Sequence, residues 1–124
     1  MDKIEKAMKE INLSNWQVIK NDFPELINNF HDTFLSEDLF QIEQNDYIID
    51  TGWYAHSNSF GTYLIYKYDW ENPLIHIVNH SISDCLNAIN LIIKYVENST
   101  MNNTIKTKQA EIIEINSVGK RPTK

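Results

Sequence analysis

The sequence contains few of the residues that mark common catalytic sites and secreted proteins. Its 124 residues include one cysteine, three glycines and three prolines. The single cysteine, Cys85, cannot form an internal disulfide, so nothing indicates an oxidising compartment. Three isolated glycines leave no glycine-rich loop for phosphate binding and no nucleophile elbow. The sequence therefore excludes several large enzyme classes.

Positive charge is also scarce. Eleven basic residues stand against 17 acidic ones, the formal net charge is -6, and Arg121 is the one arginine. A nucleic-acid binder needs a basic stripe that neutralises phosphates, and this chain has none. No apolar run approaches the roughly 20 residues that span a bilayer, and the N-terminus has no apolar signal-peptide core. We expect a cytoplasmic protein with neither nucleic-acid nor membrane partners.

Negative charge is concentrated in one segment, residues 22–50, which contains eight acidic residues and no lysine or arginine. A solvated surface is one interpretation of such a run. The other interpretation is a binding surface, because an electrostatic field of one sign speeds association with a cationic partner.

The N-terminal third predicts helices. Ile4, Ala7 and Ile11 recur at helical spacing, which predicts an amphipathic helix over residues 2–12. A possible cap at Ser14 predicts a short helix or turn over residues 14–19. Pro24 suits the first turn of a further helix, whose apolar stripe continues to residue 34.

The middle of the chain changes to strand patterns. Residues 47–54, 60–68 and 74–79 are rich in β-branched and aromatic residues and predict an antiparallel meander. The turn at residues 69–73 should join the last two strands, with Trp70 packed. Ser81 or Ser83 should cap a long helix that continues to about Glu97.

These elements predict an α+β fold in one domain, residues 1–118. A small antiparallel sheet of three to four strands should carry the N-terminal helices and the long C-terminal-half helix on one face. Residues 104–115 fit either an edge strand or a short helix. Residues 119–124 are predicted to form a basic flexible tail.

A search for catalytic groups gives weak signals. His76 and His80 lack the three or four convergent ligands of a zinc site, so we expect no metal and no other cofactor. Cys85 and His80 could form a thiol–imidazole pair, but Cys85 lies among apolar helix residues and is more typical of a core. No acid/base pair of carboxylates is visible. We expect a protein that is not an enzyme.

Aromatic residues give a stronger signal, because seven of them lie between residues 53 and 70. A sheet covered on one face leaves the other exposed, and tyrosine or tryptophan there would be interface anchors. Strand alternation sends about half of them to each face, so core packing and partner binding are equally favoured.

The stretch 47–97 resembles the immunity proteins of bacterial polymorphic toxin systems, including contact-dependent growth inhibition. The resemblance rests on the string 49–54 (IDTGWY), on 60–63 (FGTY), on 69–74 (DWENPL) and on the amphipathic helix that follows. It implies a small acidic cytoplasmic protein that binds and blocks one cognate toxin domain, often a nuclease. Nuclease toxins tend to be basic, which agrees with the acidic segment.

The sequence therefore predicts an inhibitor that binds a basic toxin domain. We expect the contacts to come from loops and element ends in the acidic segment and from the start of the aromatic cluster. The predicted partner-binding residues are Asp32, Glu37, Asp38, Glu43, Asp46, Trp53 and Tyr54. The alternative is a small ligand-binding or enzymatic domain with a pocket near His56, His76 and His80.

Overall fold

The computed structural model describes residues 2–29 and 35–101. The elements in chain order are α1 (Lys3–Glu10), β1 (Gln17–Asn21), α2 (Phe23–Asn29), β2 (Phe40–Gln44), β3 (Tyr47–Tyr54), β4 (Ser59–Tyr66), β5 (Ile75–Asn79) and α3 (Ile82–Met101). The predictions for residues 104–115, for the tail 119–124 and for Asp32 fall outside the described residues.

The strands form one antiparallel sheet in sequential order, β1 to β5. The predicted α+β class and the meander are confirmed, but the sheet has five strands rather than three to four. The extra strands are β1, where a helix or turn was expected, and β2. They pair through Val18 and Ile42, and a bulge between Val18 and Lys20 interrupts the alternation of β1. Because of that interruption, the two-residue alternation typical of a strand cannot be recognised in the sequence of β1.

Helix α3 begins as its sequence predicts. The backbone N–H of Asp84 donates to Ser81 Oγ at 3.1 Å, so Ser81 caps the helix. Most of its apolar residues are buried against β3, β4 and β5, whereas Leu91 is exposed. The fully buried members are Cys85, Leu86, Ile89, Ile92, Ile93 and Val96. This layer between α3 and the sheet is the core.

The other two helices extend the same layer. Asp2 caps α1 by accepting from the Glu5 N–H at 2.8 Å, and α1 packs against α3 with Ala7 buried. In α2, the ring of Phe23 lies 5.8 Å from that of Phe40 in the core. The indole Nε1 of Trp16 donates to Glu97 at 3.0 Å and joins the start of β1 to α3. All three helices therefore contribute to the core on one face of the sheet.

Strand alternation defines two faces. On the helix face, Ile49 lies opposite Leu64 and Thr51 lies opposite Thr62. On the other, here called the open face, the side chains alternate with those of the core. The open face carries Gln41 and Glu43 of β2, Ile48, Asp50 and Tyr54 of β3, Gly61, Tyr63 and Ile65 of β4, and His76 and Val78 of β5. Ile48 and Ile65 are nevertheless buried.

Candidate functional site

Two glycines lie side by side near the middle of the open face. Gly52 of β3 and Gly61 of β4 are cross-strand partners. The segment before β2 runs over Gly52, because a Cβ there would collide with the backbone of Glu37. The Trp53 N–H holds that segment by donating to the Ser36 carbonyl at 2.7 Å. Glycine at position 52 therefore lets an acidic segment lie directly on the sheet.

The second glycine, Gly61, lies in the lining of a pocket of about 280 Å³. A Cβ at Gly61 would lie 3.1 Å from Cε2 of Tyr54 and 3.3 Å from the hydroxyl of Tyr63. The two tyrosine side chains thus converge above the glycine. The other lining residues include His56, Ser59, His76 and Val78.

One wall of the pocket is a flat aromatic stack. The rings of Tyr63 and His76, which are cross-strand partners, are 4.2 Å apart with an interplanar angle of 10°. Partial desolvation lowers the pKa of His76 below its ordinary value. His56 lies at the other side, with its ring edge-on to Tyr54 at 6.4 Å.

Two carboxylates lie outside the pocket lining but near its tyrosines. Asp50 is the cross-strand partner of Tyr63, and burial, together with the nearby Asp38, raises the pKa of Asp50 to about 6. The pKa of Tyr54 is raised to about 12, first by burial, then by Tyr63, and also by the charges of Asp50 and Glu37. The tyrosine hydroxyl and the carboxylates are therefore close enough to interact electrostatically.

Several predicted acidic residues lie on or beside this face. Glu43 belongs to the open face of β2, and the backbone of Glu37 covers Gly52. Asp38 is exposed and accepts from Lys20 at 3.2 Å, while Lys20 also lies 3.5 Å from Asp22. The structure thus brings Glu37, Asp38 and Glu43 to one side of the sheet.

Asp46 lies apart from that group. It occupies the tight turn between β2 and β3, where its carbonyl accepts from the Lys67 N–H at 2.8 Å. Its side chain is exposed at the end of the sheet rather than on the open face.

The predicted pair of Trp53 and Tyr54 is divided between the two faces. Trp53 points to the helix face, packs against the core and makes an edge contact with Phe60 at 4.9 Å. Tyr54 points to the open face and lines the pocket. Neighbouring residues in a strand alternate, so these two cannot contact one partner on the same face.

The possible thiol–imidazole pair is not assembled. Cys85 is fully buried on the sheet side of α3, its Sγ lies 3.8 Å from Thr62 Oγ1, and burial raises the thiol pKa to about 12. His80 is exposed, with Nδ1 3.2 Å from the Asn58 carbonyl oxygen. His80 also lies outside the pocket lining that includes His56 and His76. Within the two described segments, no group of three or more His, Cys, Asp or Glu residues could hold a metal ion.

The turn between β4 and β5 differs from its prediction in one respect. It joins two antiparallel strands as expected, but Trp70 is 47% exposed rather than packed. Lys67 and Tyr68 both adopt left-handed conformations, and the Asp69 N–H donates to the Tyr66 carbonyl at 3.2 Å. This tight reversal at the strand end leaves Tyr68 and Trp70 largely exposed to solvent.

Sequence reasoning missed the part of the site that depends on strand register. Gly52, Gly61 and Asp50 were not among the predicted binding residues, although all three lie on the open face and Gly61 lines the pocket. The sequence did contain a signal for this site, because each of the two neighbouring strands contains one glycine. Glycine inside a strand often marks a close approach of another group.

Comparisons with protein-family models, curated proteins and solved structures give no match for this chain. In the described part of the chain, no helix combines the length and apolar character needed to cross a membrane.

Proposed function

We propose that this protein is an immunity protein that binds and neutralises a cognate, basic, nuclease-type toxin domain in the bacterial cytoplasm. The observation that carries the proposal is the composition of the open face. That face carries the carboxylates of Glu43 and Asp50 and, towards the Tyr54 end of β3, an aromatic pocket lined by Tyr54 and Tyr63. Aromatic anchors within a charged surround are typical of protein interfaces.

The charge of this surface supports a basic partner. A nuclease domain binds a polyanion, so it carries a positive cleft that an acidic surface can occupy or cover. Lys20 is already engaged by Asp22 and Asp38, so it adds little free positive charge to that surface. The resemblance of residues 47–97 to immunity proteins points to the same class of partner.

The direct test mixes the purified chain with a panel of basic bacterial nuclease toxin domains. We expect one of them to form a stable 1:1 complex by size-exclusion chromatography with light scattering, and to lose nuclease activity in that complex. A variant with Glu37, Asp38 and Glu43 neutralised should bind more weakly. A matched variant with Glu5, Glu10 and Asp84 neutralised, all exposed on helices, should not. Failure of every toxin to bind would contradict the proposal.

A second candidate is favoured by one observation, the 280 Å³ pocket that His56 and His76 both line. A small ligand-binding or enzymatic domain could use it, with Asp50 as a nearby acid or base. A turnover that survives purification to homogeneity and disappears in His76→Gln would establish this candidate. Stable binding of a toxin domain with no turnover would favour the immunity protein.

A further inference from the structure

The outer edge of β1 has no partner among the described strands, because β1 stands first in the strand order and pairs with β2 alone. Two β-branched residues of this strand, Val18 and Ile19, are 46% and 48% exposed. We propose that residues 111–115 of the same chain (EIIEI) dock on this edge as a sixth strand, parallel to β1. This inference does not depend on the proposed function.

The end of α3 places the residues that follow it beside the start of β1. Trp16, the residue before β1, donates from its indole Nε1 to Glu97 at 3.0 Å, and α3 ends soon afterwards at Met101. Residues 102–110 then lead to the docking segment, and when extended they can span about 30 Å. This linker is therefore long enough to reach the edge of β1.

The direction of the chain makes a strand after α3 parallel to β1. Strands β1, β3 and β5 point the same way, because each neighbouring pair in the sheet is antiparallel. Helix α3 begins just after the end of β5 and ends near the start of β1, so it runs back against that direction. A strand that follows α3 and joins the sheet would therefore complete a βαβ crossover that begins with β5.

The backbone of β3 shows on which side of β5 the rest of the sheet lies. Successive residues of a strand direct their N–H and C=O groups alternately to the two neighbouring strands. Tyr47 pairs with Gln44 of β2 across the tight turn, whereas the carbonyl of Asp46 accepts from Lys67 after β4. The helix-face residues of β3, which alternate in step with Tyr47, therefore direct these groups towards β2.

The handedness of the crossover selects the edge at β1. For L-residues, the backbone directions in β3 place β1 on the right and β5 on the left when the helices are in front and β5 points up. A right-handed crossover moves to the right in this view, and about 98% of such connections are right-handed. The crossover from β5 through α3 therefore leads to the outer edge of β1 and not to the outer edge of β5.

The composition of the segment and its tether both favour this occupant. Three of the five residues in 111–115 are isoleucine, which is enriched in strands and can cover the exposed Val18 and Ile19. A tethered segment has an effective concentration in roughly the millimolar range. It therefore competes well against a second copy of the chain at micromolar concentration.

Hydrogen exchange and nuclear Overhauser contacts in the isotope-labelled full chain test the docking. We expect the amides of residues 112–115 to exchange at least about tenfold more slowly than in a free peptide of residues 109–117. Overhauser contacts should join methyl groups of residues 111–115 to those of Val18 and Ile19. Both results should be independent of protein concentration, with a monomer by light scattering.

Two proline variants of the full chain locate the docking segment. Ile113→Pro removes a backbone donor inside the segment and should abolish both its slow exchange and its contacts with Val18. Lys108→Pro lies in the linker and is the matched control, which should keep both. Adding the free peptide of residues 109–117 to the Ile113→Pro variant should restore contacts with Val18, because the edge of β1 is then available.

Three results would overturn the proposal. The first is exchange of residues 112–115 at the rate of the free peptide. The second is slow exchange without contacts to β1, or with contacts to β5 in their place. The third is slow exchange that is lost on dilution together with a change from dimer to monomer, since a second copy would then supply the segment.

Discussion

Asp50 is the residue whose placement is hardest to explain by stability alone. Its carboxyl group lies half-buried on the open face, next to Tyr63, and its pKa is raised to about 6 from the ordinary 3.8. A carboxylate with a raised pKa destabilises the folded state whenever it is ionised. A residue that costs stability at neutral pH beside a pocket is consistent with a binding role.

Asp50→Asn should therefore stabilise the protein at neutral pH. The folded pKa exceeds the unfolded one, so the cost is present above pH 6 and disappears as the carboxyl group is protonated on acidification. We expect the unfolding free energy at pH 7.5 to rise by about 1–2 kcal/mol, a value reduced because the group is partly exposed to solvent.

Urea unfolding of wild type and variant at pH 7.5 and pH 4.5 measures this difference. It should be largest at pH 7.5 and clearly smaller at pH 4.5, because the cost is lost between the folded pKa of about 6 and the unfolded value of 3.8. Glu10→Gln on the exposed side of α1 is the control and should change neither value. A variant less stable than wild type at pH 7.5 would show that ionised Asp50 stabilises the fold.

At the scale of elements, the sequence predicts best where pattern and tertiary environment agree. Strand β3 has its predicted bounds, Tyr47–Tyr54, because its β-branched and aromatic residues fit a central strand. Helix α3 begins at its predicted cap because Ser81 accepts from the Asp84 N–H. The bounds of β3 and the start of α3 are both determined by local sequence.

Strands β1 and β2 could be recognised only through pairing. Residues 16–19 mix apolar and polar side chains without alternation, and the bulge after Val18 interrupts the strand. The clearest local signal for the hairpin of β2 and β3 is Asn45, which adopts a left-handed turn conformation at φ 55°.

The candidate site also has one part that the sequence predicts and another part that only the strand pairing defines. The acidic residues Glu37, Asp38 and Glu43 are visible in the sequence as a run without lysine or arginine. The pocket is not, because it needs the register that places Asp50 opposite Tyr63 and Gly52 opposite Gly61. A shift of one residue would send these side chains to the core face.

The backbone conformation of the turn after β4 leads to a testable prediction at the scale of elements. Tyr68 adopts φ 63° in a tight turn, a conformation that costs an L-residue roughly 1 kcal/mol and costs glycine little. Tyr68→Gly should therefore raise the unfolding free energy by about 1 kcal/mol. Tyr68→Ala is the control, since it removes the exposed ring but keeps the backbone strain. Equal stabilisation by both variants would mean that the ring, and not the backbone, is unfavourable.

At the scale of the whole molecule, the acidic segment is concentrated on one side of the sheet. The helices cover one face with an apolar core, and the acidic segment contributes Glu37, Asp38, Glu43 and Asp50 around the other. The net charge of -6 is therefore not spread evenly. A directed field of this kind raises association rates with a basic surface and depends on ionic strength.

This arrangement predicts how location, rather than net charge, controls binding. Neutralising Glu37, Asp38 and Glu43 together changes the net charge by the same amount as neutralising Glu5, Glu10 and Asp84. We expect the first variant to lower the association rate with the cognate toxin roughly tenfold at low salt. The second should change it much less, because its charges lie on helices packed on the other face.

Stopped-flow association measured from low salt to roughly 0.5 M separates the two variants, since screening shortens the range of the field to a few ångströms. The salt dependence of the first variant should be shallower than that of the wild type, and the rates of all three proteins should converge at high salt. An equal decrease of the association rate in both variants at low salt would mean that net charge alone attracts the partner. The open face would then have no special part in steering it.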